Sequence, residues 1–359
     1  MSYPAGPRNA LTDVAGLRVG HFDRRDGGYL SGTTVVLAPA GGMTAGVDVR
    51  GGAPGTRETD LLHPTASIQQ IHAIVLTGGS AYGLAAACGV AEGLGRAGIG
   101  FPVNESGDVV PIVPAAVLFD LGRGGSFHAY PDAGFGADAL AAALTDGRDS
   151  RVGLVGAGVG AVTAGLKGGL GSASAVLPDG GIVSALVVAN AVGSPVDARN
   201  GELLAARTLL PADFPGLRIP DQPDRDALLS VISAAGPRLR TPAGLAETAP
   251  TLTNTSIGIV ATDAALTKAQ CAKMASTAHD GLARALNPVH TQFDGDTLFA
   301  VSDNTGPAPD EIAFHQILCA AADVVTRALG RGLLFAEHTL TPAGDWSGYL
   351  DLAPSARRR

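Results

Sequence analysis

Apolar residues in this chain gather in short runs rich in β-branched side chains, separated by stretches where they recur every three or four positions. Runs at 33–39 (TTVVLAP), 44–50 (TAGVDVR), 72–78 (HAIVLTG), 181–190 (GIVSALVVAN), 256–262 (SIGIVAT) and 296–303 (DTLFAVSD) read as strands, and 151–165 (RVGLVGAGVGAVTAG) joins them on apolarity. Helical spacing marks 80–98, after the Gly78-Gly79 turn, then 267–286 and 310–329. Asp263 is placed to cap the second of these helices, and Asp310 and Glu311 suit the positive end of the third. Strands come in groups between helices and do not alternate with them one by one. That order predicts a layered α+β fold, sheet stacked on sheet with helices outside.

One segment breaks the pattern. From 209 to 254 the chain is rich in Pro, Asp, Arg and Thr, which predicts an irregular surface excursion with a short helix near 227–235. It runs directly into the strand at 256–262. A long irregular segment feeding a buried strand is uncommon and points to function or processing.

Composition refines this picture. With 46% hydrophobic residues, 16% charged and 50 glycines among 359 residues, the chain is globular, and 4% aromatics means a core built from small and aliphatic side chains. A net charge of −8 argues against nucleic-acid or anionic-membrane partners. No basic-then-apolar leader is visible at the start, and apolar runs such as GLVGAGVGAVTAGL are too short to span a bilayer. Cys88, Cys271 and Cys319 are too few and too scattered for a disulfide framework or a zinc site. A cytoplasmic protein is expected. No His-x-His or His-x-x-x-His pair occurs among the eight histidines, so no metal is expected.

Several motifs compete for the chemistry. Gly156-x-Gly158-x-x-Ala161 imitates a dinucleotide fingerprint, the basis of a nucleotide-binding oxidoreductase reading. The glycines at 165, 168, 169 and 171 leave no helix of ordinary length after it, and Asp179 falls in a turn, so the fingerprint fails. Ser80 in LTGGSAYGL suggests a nucleophile elbow, but Gly-Ser-Ala-Tyr-Gly is not Gly-x-Ser-x-Gly, and a helix-capping turn lining a pocket fits better. Asp294 and Asp296, in FDGD, are two apart at an incoming strand; such a pair is a turn or an orienting group for an amine.

The stretch Thr253-Asn254-Thr255-Ser256 is either a polar turn or something more active. An internal threonine is a poor nucleophile. Cutting the Asn254–Thr255 bond would give Thr255 a free α-amine with a pKa of roughly 8, able to accept the hydroxyl proton. The hydroxyl attacking its own preceding carbonyl could make that cut.

LTDVAGLRVGH, DVRGGAPGTRETDLL, IVLTGGSAYGL, LKGGLGSAS, NTSIGIVATDAALTK and HTQFDGDTLFAVSD, in this order, resemble the L-aminopeptidase/D-esterase and β-aminopeptidase family, which includes the 6-aminohexanoate (nylon) oligomer endo-hydrolases. The likeness runs from about Ala10 to Ala336. It implies a four-layer αββα sandwich made as one chain and self-cleaved into a large subunit, 1–254, and a small one, 255–359, that stay paired and assemble as tetramers of such heterodimers. It also implies hydrolysis of small peptides or amides, with Thr255 as N-terminal nucleophile and Asn190 as an oxyanion donor. Lys167 then lies near the nucleophile, and Asp294 and Asp296 orient it. Phe119 stands where some members carry a tyrosine, so either a backbone amide covers that role or the pocket favours an apolar substrate; Phe119, Ser80 and Tyr82 are the pocket candidates, and the resemblance implies no cofactor. The threonine and the Asp-Gly-Asp lean toward the nylon-hydrolase branch; aminopeptidase, D-amino-acid esterase and β-aminopeptidase activities are the alternatives, and a non-enzymatic scaffold is the third class.

Overall fold

A computed structural model describes residues 3–235 and 254–357. Ten strands form two sheets: β1 (Arg18–Arg24), β2 (Ser31–Leu37), β3 (Thr44–Val49), β4 (Thr56–Arg57), β5 (Ala73–Thr77), β6 (Ala115–Val117), β7 (Leu170–Val176), β8 (Ile182–Val188), β9 (Ile257–Thr262) and β10 (Thr297–Ser302). The first sheet has the order β1-β2-β5-β6-β4 and the second β7-β8-β9-β10-β3. Each is antiparallel except for one parallel pair, β5 with β6 and β9 with β10. Helices α1 (Ala86–Arg96) and α2 (Ala133–Thr145) cover the first sheet, α4 (Lys268–Ala285) and α5 (Glu311–Leu334) the second, and α3 (Gln222–Ala235) lies beyond.

Period-two alternation sorts each strand between two interfaces. Val36, Ile74 and Leu76 from the first sheet meet Leu186, Ile257, Ile259 and Phe299 from the second in a core between the sheets. Their neighbours Val35 and Val75 face α1 and α2, while Val187, Val260 and Leu298 face α4 and α5. Three apolar interfaces therefore separate four layers, and the fold is the αββα sandwich. Few aromatics are needed because helices come close to the sheets. A Cβ on Gly46 of β3 would lie 2.3 Å from a backbone nitrogen of α4, and one on Gly171 of β7 only 1.8 Å from a carbonyl of α5.

The strands expected at 33–39, 44–50, 72–78, 181–190, 256–262 and 296–303 are all present. The run 151–165 is not a strand. It is a buried series of turns with a 3-10 turn at Gly156–Gly158, because Gly153, Gly156, Ala164 and Gly165 take left-handed φ and break any ladder. No helix follows those glycines, as the failed fingerprint requires; a small hairpin of Val162–Thr163 and Leu166–Lys167 does. Strands β1 and β7 and helix α2 went unread, since the Gly-Ala-Ser-rich LGSASAV and AGFGADALAAALT show little apolar contrast. Asp263 does not cap α4. Thr267 does, in a capping box with Gln270, while Asp263 accepts the Ile182 N–H at 2.9 Å. Asp310 and Glu311 lie at the positive end of α5 as expected, and Asp310 also caps it, accepting the Ala313 N–H.

The helix near 227–235 is longer and starts at Gln222, and the rest of the excursion, 236–253, lies outside the described residues. At 24 residues α5 is long and apolar enough by composition to cross a membrane, unlike the shorter runs weighed in the sequence, but here it packs on the second sheet as a core helix.

Candidate active site

The site forms where strand ends converge. β9 and β10 run parallel and start in register, Ile257 opposite Thr297, so the residues just before each strand lie side by side. Thr255 and Ser256 lead into one strand and Asp294-Gly295-Asp296 into the other, with Asn254 bridged to Asp294. β8 is antiparallel to β9 and ends at this edge. The Thr255 N–H therefore extends the ladder to the Asn190 carbonyl at 2.7 Å. β3 also ends here, and the Ala53 N–H beyond it donates to the Asp294 carbonyl at 2.9 Å. From the other sheet, the ends of β5 and β6 bring Ser80 and Phe119.

Thr255 is 6% exposed, and its Oγ1 donates to the carbonyl oxygen of Asn254 at 2.6 Å. The Thr255 hydroxyl and the Asn254–Thr255 peptide are thus in direct contact. Gly295 makes room for them: a Cβ there would sit 2.8 Å from Thr255 Oγ1.

Asn190 is fully buried, and its carboxamide has one orientation that satisfies its surroundings. Oδ1 accepts from Arg123 Nη1 at 2.6 Å and from the Val162 N–H at 3.0 Å. Nδ2 is left facing the Phe119 carbonyl at 3.4 Å, a long bond that leaves donor capacity unused. The Asn254 side chain bridges the same groups. Its Nδ2 donates to the Ala191 carbonyl at 2.7 Å, and its Oδ1 accepts from Arg123 Nη2 at 3.4 Å.

The two carboxylates hold the frame around the threonine rather than its hydroxyl. Asp294 accepts from the Val192 N–H at 3.1 Å and from Thr291 Oγ1 at 2.6 Å. Asp296 takes the Ser256 N–H at 2.8 Å on one oxygen and His290 Nδ1, also at 2.8 Å, on the other. Burial pushes Asp294 above the usual carboxylate range and the neighbouring Asp296 adds to this, against the hydrogen bonds it accepts. Both residues precede β10, which begins at Thr297, so they belong to the approach and not to a face of the strand itself.

Lys167 is buried with Nζ on the carbonyls of Ala161 (2.7 Å) and Gly168 (2.9 Å), so it braces the loop whose Val162 N–H holds Asn190. Its hydrogen bonds go to that loop rather than to Thr255. Burial first, then the Arg123 charge, hold its pKa well below the ordinary lysine value, with Asp120 opposing. Asp120 accepts the Gly79 N–H at 2.7 Å, and burial pushes its carboxyl up.

A cavity of about 250 Å³ opens beside Thr255, walled by Ala81, Val117, Leu118, Phe119 and Phe293 and reached by Ser80. Ser80 sits at φ +50° in the strand-to-helix turn and donates its N–H to the Leu118 carbonyl. Tyr82 is not in this wall. It is 54% exposed and stacks on Tyr130, because the helical turn carries it outward. Sequence reasoning missed Arg123 and His290. Neither falls in a recognisable spacing, although His290 opens the same motif that carries the two aspartates.

The chain matches the family described as Peptidase family S58 over residues 9–346. It is 44% identical over 365 residues to a Mycobacterium tuberculosis protein named an uncharacterized aminopeptidase, covering 97% of this chain and 99% of that one. Identity is 31% over 300 residues to a 6-aminohexanoate-oligomer endohydrolase of Paenarthrobacter ureafaciens, covering 81% and 74%. Among solved structures, a Burkholderia sp. beta-aminopeptidase superposes with a TM-score of 0.70 at 23% identity, covering 99% and 96%. An L-aminopeptidase D-Ala-esterase/amidase of Ochrobactrum anthropi, described as a variant of the Ntn hydrolase fold, gives 0.67 at 20%, covering 97% and 93%. Those two speak for the fold. With the family match spanning almost the whole chain and relatives on both the aminopeptidase and the endohydrolase side, this protein belongs to peptidase family S58 and is an amide-bond hydrolase.

Proposed function

We propose that the chain cuts itself between Asn254 and Thr255 and then hydrolyses small peptides or amides with the freed threonine. The observation that carries this is the 2.6 Å contact of Thr255 Oγ1 with the Asn254 carbonyl at a buried convergence of strand ends. In self-cleavage Oγ attacks the Asn254 carbonyl carbon, the C–N bond breaks as the Oγ proton passes to the departing Thr255 nitrogen, and the Asn254 acyl group is left as an ester on Oγ. Water then hydrolyses that ester to the Asn254 carboxylate and a free Thr255 hydroxyl. In turnover the α-amine of Thr255 takes the Oγ proton as Oγ attacks the substrate carbonyl, and passes it to the departing amine. Water then releases the acid. Asn190 Nδ2, with its unused donor, stabilises the oxyanion. Asp296 pins the Ser256 N–H next to the nucleophile, and Asp294 completes the frame. Arg123 brings positive charge, which favours a neutral α-amine.

Residues 1–254 and 255–359 would remain together after the cut. β9 and β10, both from the later piece, are flanked by β8 and β3 of the earlier one in a single sheet. Assembly of these heterodimers into tetramers remains part of the proposal.

For the substrate, the apolar wall of the cavity supports a neutral aliphatic segment beside the scissile amide, in keeping with the endohydrolase branch. N-terminal sequencing of the small fragment should read Thr-Ser-Ile. A single full-length band from active protein would refute self-processing. A panel of 6-aminohexanoate oligomers and aminoacyl amides, with free and blocked amino ends, then separates endo-hydrolase from aminopeptidase action.

A further inference from the structure

We propose that Arg123 is a positioning residue that sets the orientation of the Asn190 carboxamide and so aims its N–H at the developing oxyanion. This rests on the oxyanion role given above to Asn190. A carboxamide flips at little cost unless its two ends meet different partners. Here Arg123 Nη1, at 2.6 Å, and the Val162 N–H, at 3.0 Å, both donate to Oδ1. The flipped amide would set an NH₂ against a guanidinium and a backbone N–H, losing two hydrogen bonds and opposing donor to donor. The guanidinium is itself held. Nη1 also donates to the Gly160 carbonyl at 2.5 Å, and Nη2 reaches Asn254 Oδ1 at 3.4 Å. One planar fork thus ties the oxyanion donor to the loop beneath it and to the residue before the scissile bond, an arrangement a lysine's point charge cannot reproduce.

Burial lowers Arg123 to about 10, with Asp120 opposing, so the side chain is charged at neutral pH and has only N–H donors to offer Asn190.

The test is a double-mutant cycle on the full chain, read as the self-cleavage rate on gels and as kcat and KM of the processed enzyme on one amide substrate. Arg123→Met is expected to lower both self-cleavage and kcat roughly 10- to 100-fold with KM within about twofold, the pattern of a misaimed group rather than a lost binding contact. Asn190→Ala is expected to fall by roughly 100-fold or more. In the Asn190→Ala background, Arg123→Met should add less than about a twofold further loss, because its target is gone. Arg123→Lys, which keeps the charge and one donor, should lie between wild type and Arg123→Met, and it stands in should the methionine variant fail to fold. Losses that multiply in the double variant, or wild-type kcat in Arg123→Met, would overturn the role of Arg123 alone. Wild-type rates in Asn190→Ala would overturn the oxyanion assignment and this inference with it.

Discussion

Gly295→Ala adds one methyl group and no charge, yet it is expected to slow self-cleavage sharply. The glycine takes no left-handed φ, so alanine meets no left-handed backbone penalty there and the effect is steric. The new Cβ would lie 2.5 Å from the Ala53 carbonyl, 2.8 Å from Thr255 Oγ1 and 3.0 Å from Pro54 Cα. The nearest of these atoms is backbone, so the Ala53–Pro54 segment must shift, and the Thr255 hydroxyl pressed by the same methyl is displaced as well. Overpacking of this kind costs about 1–3 kcal/mol. Displacing a nucleophile by about 1 Å costs roughly 100-fold in rate. The expected result is therefore self-cleavage slowed by about two orders of magnitude, with thermal stability lowered only modestly. Time courses on denaturing gels give the first quantity, and denaturation of the uncut protein, with uncut Thr255→Ala as reference, the second. Cleavage of Gly295→Ala at the wild-type rate would show that Oγ1 does not work from where it stands in the uncut chain, and would refute the reasoning.

Other outcomes follow from the same structure. Thr255→Ala should stay a single full-length band, while Thr255→Ser, which keeps the hydroxyl, should still cleave; N-terminal sequencing checks both. His290→Ala removes the side-chain donor on one oxygen of Asp296 and is expected to lower kcat about tenfold, whereas His290→Asn, which keeps an N–H donor, should recover much of it in the same steady-state assay. His21 is buried against Thr34, and burial lowers its pKa from the ordinary 6.5 to about 4. The unfolded chain therefore binds the extra proton first. This stability is fully present above pH 6.5 and is lost as pH falls toward 4, by at most about 3 kcal/mol. Melting of Thr255→Ala with and without His21→Gln, between pH 7 and 4, should show a shallower acid slope in the double variant.

Much of the fold was legible because strands such as 256–262 and 296–303 are apolar on both faces, and buried strands declare themselves whatever they pack against. The layered order followed from strands arriving in groups. Less was legible where small residues serve close packing. In β7 and α2 the alternation is written in Gly, Ala and Ser, whose hydropathy differs too little to show a period.

By itself the sequence determined that Thr255 follows a long polar excursion and enters a buried strand, and that Asp-Gly-Asp enters another. Only the tertiary structure decided that these two entries are neighbours, because β9 and β10 are parallel and start in register. The same holds for Asn190 at the end of β8 and for Arg123, far apart in the chain and joined by a 2.6 Å bond. A hydrogen bond between distant residues leaves no period in the sequence. Strand order and register place its two ends together, and those are properties of the assembled sheets.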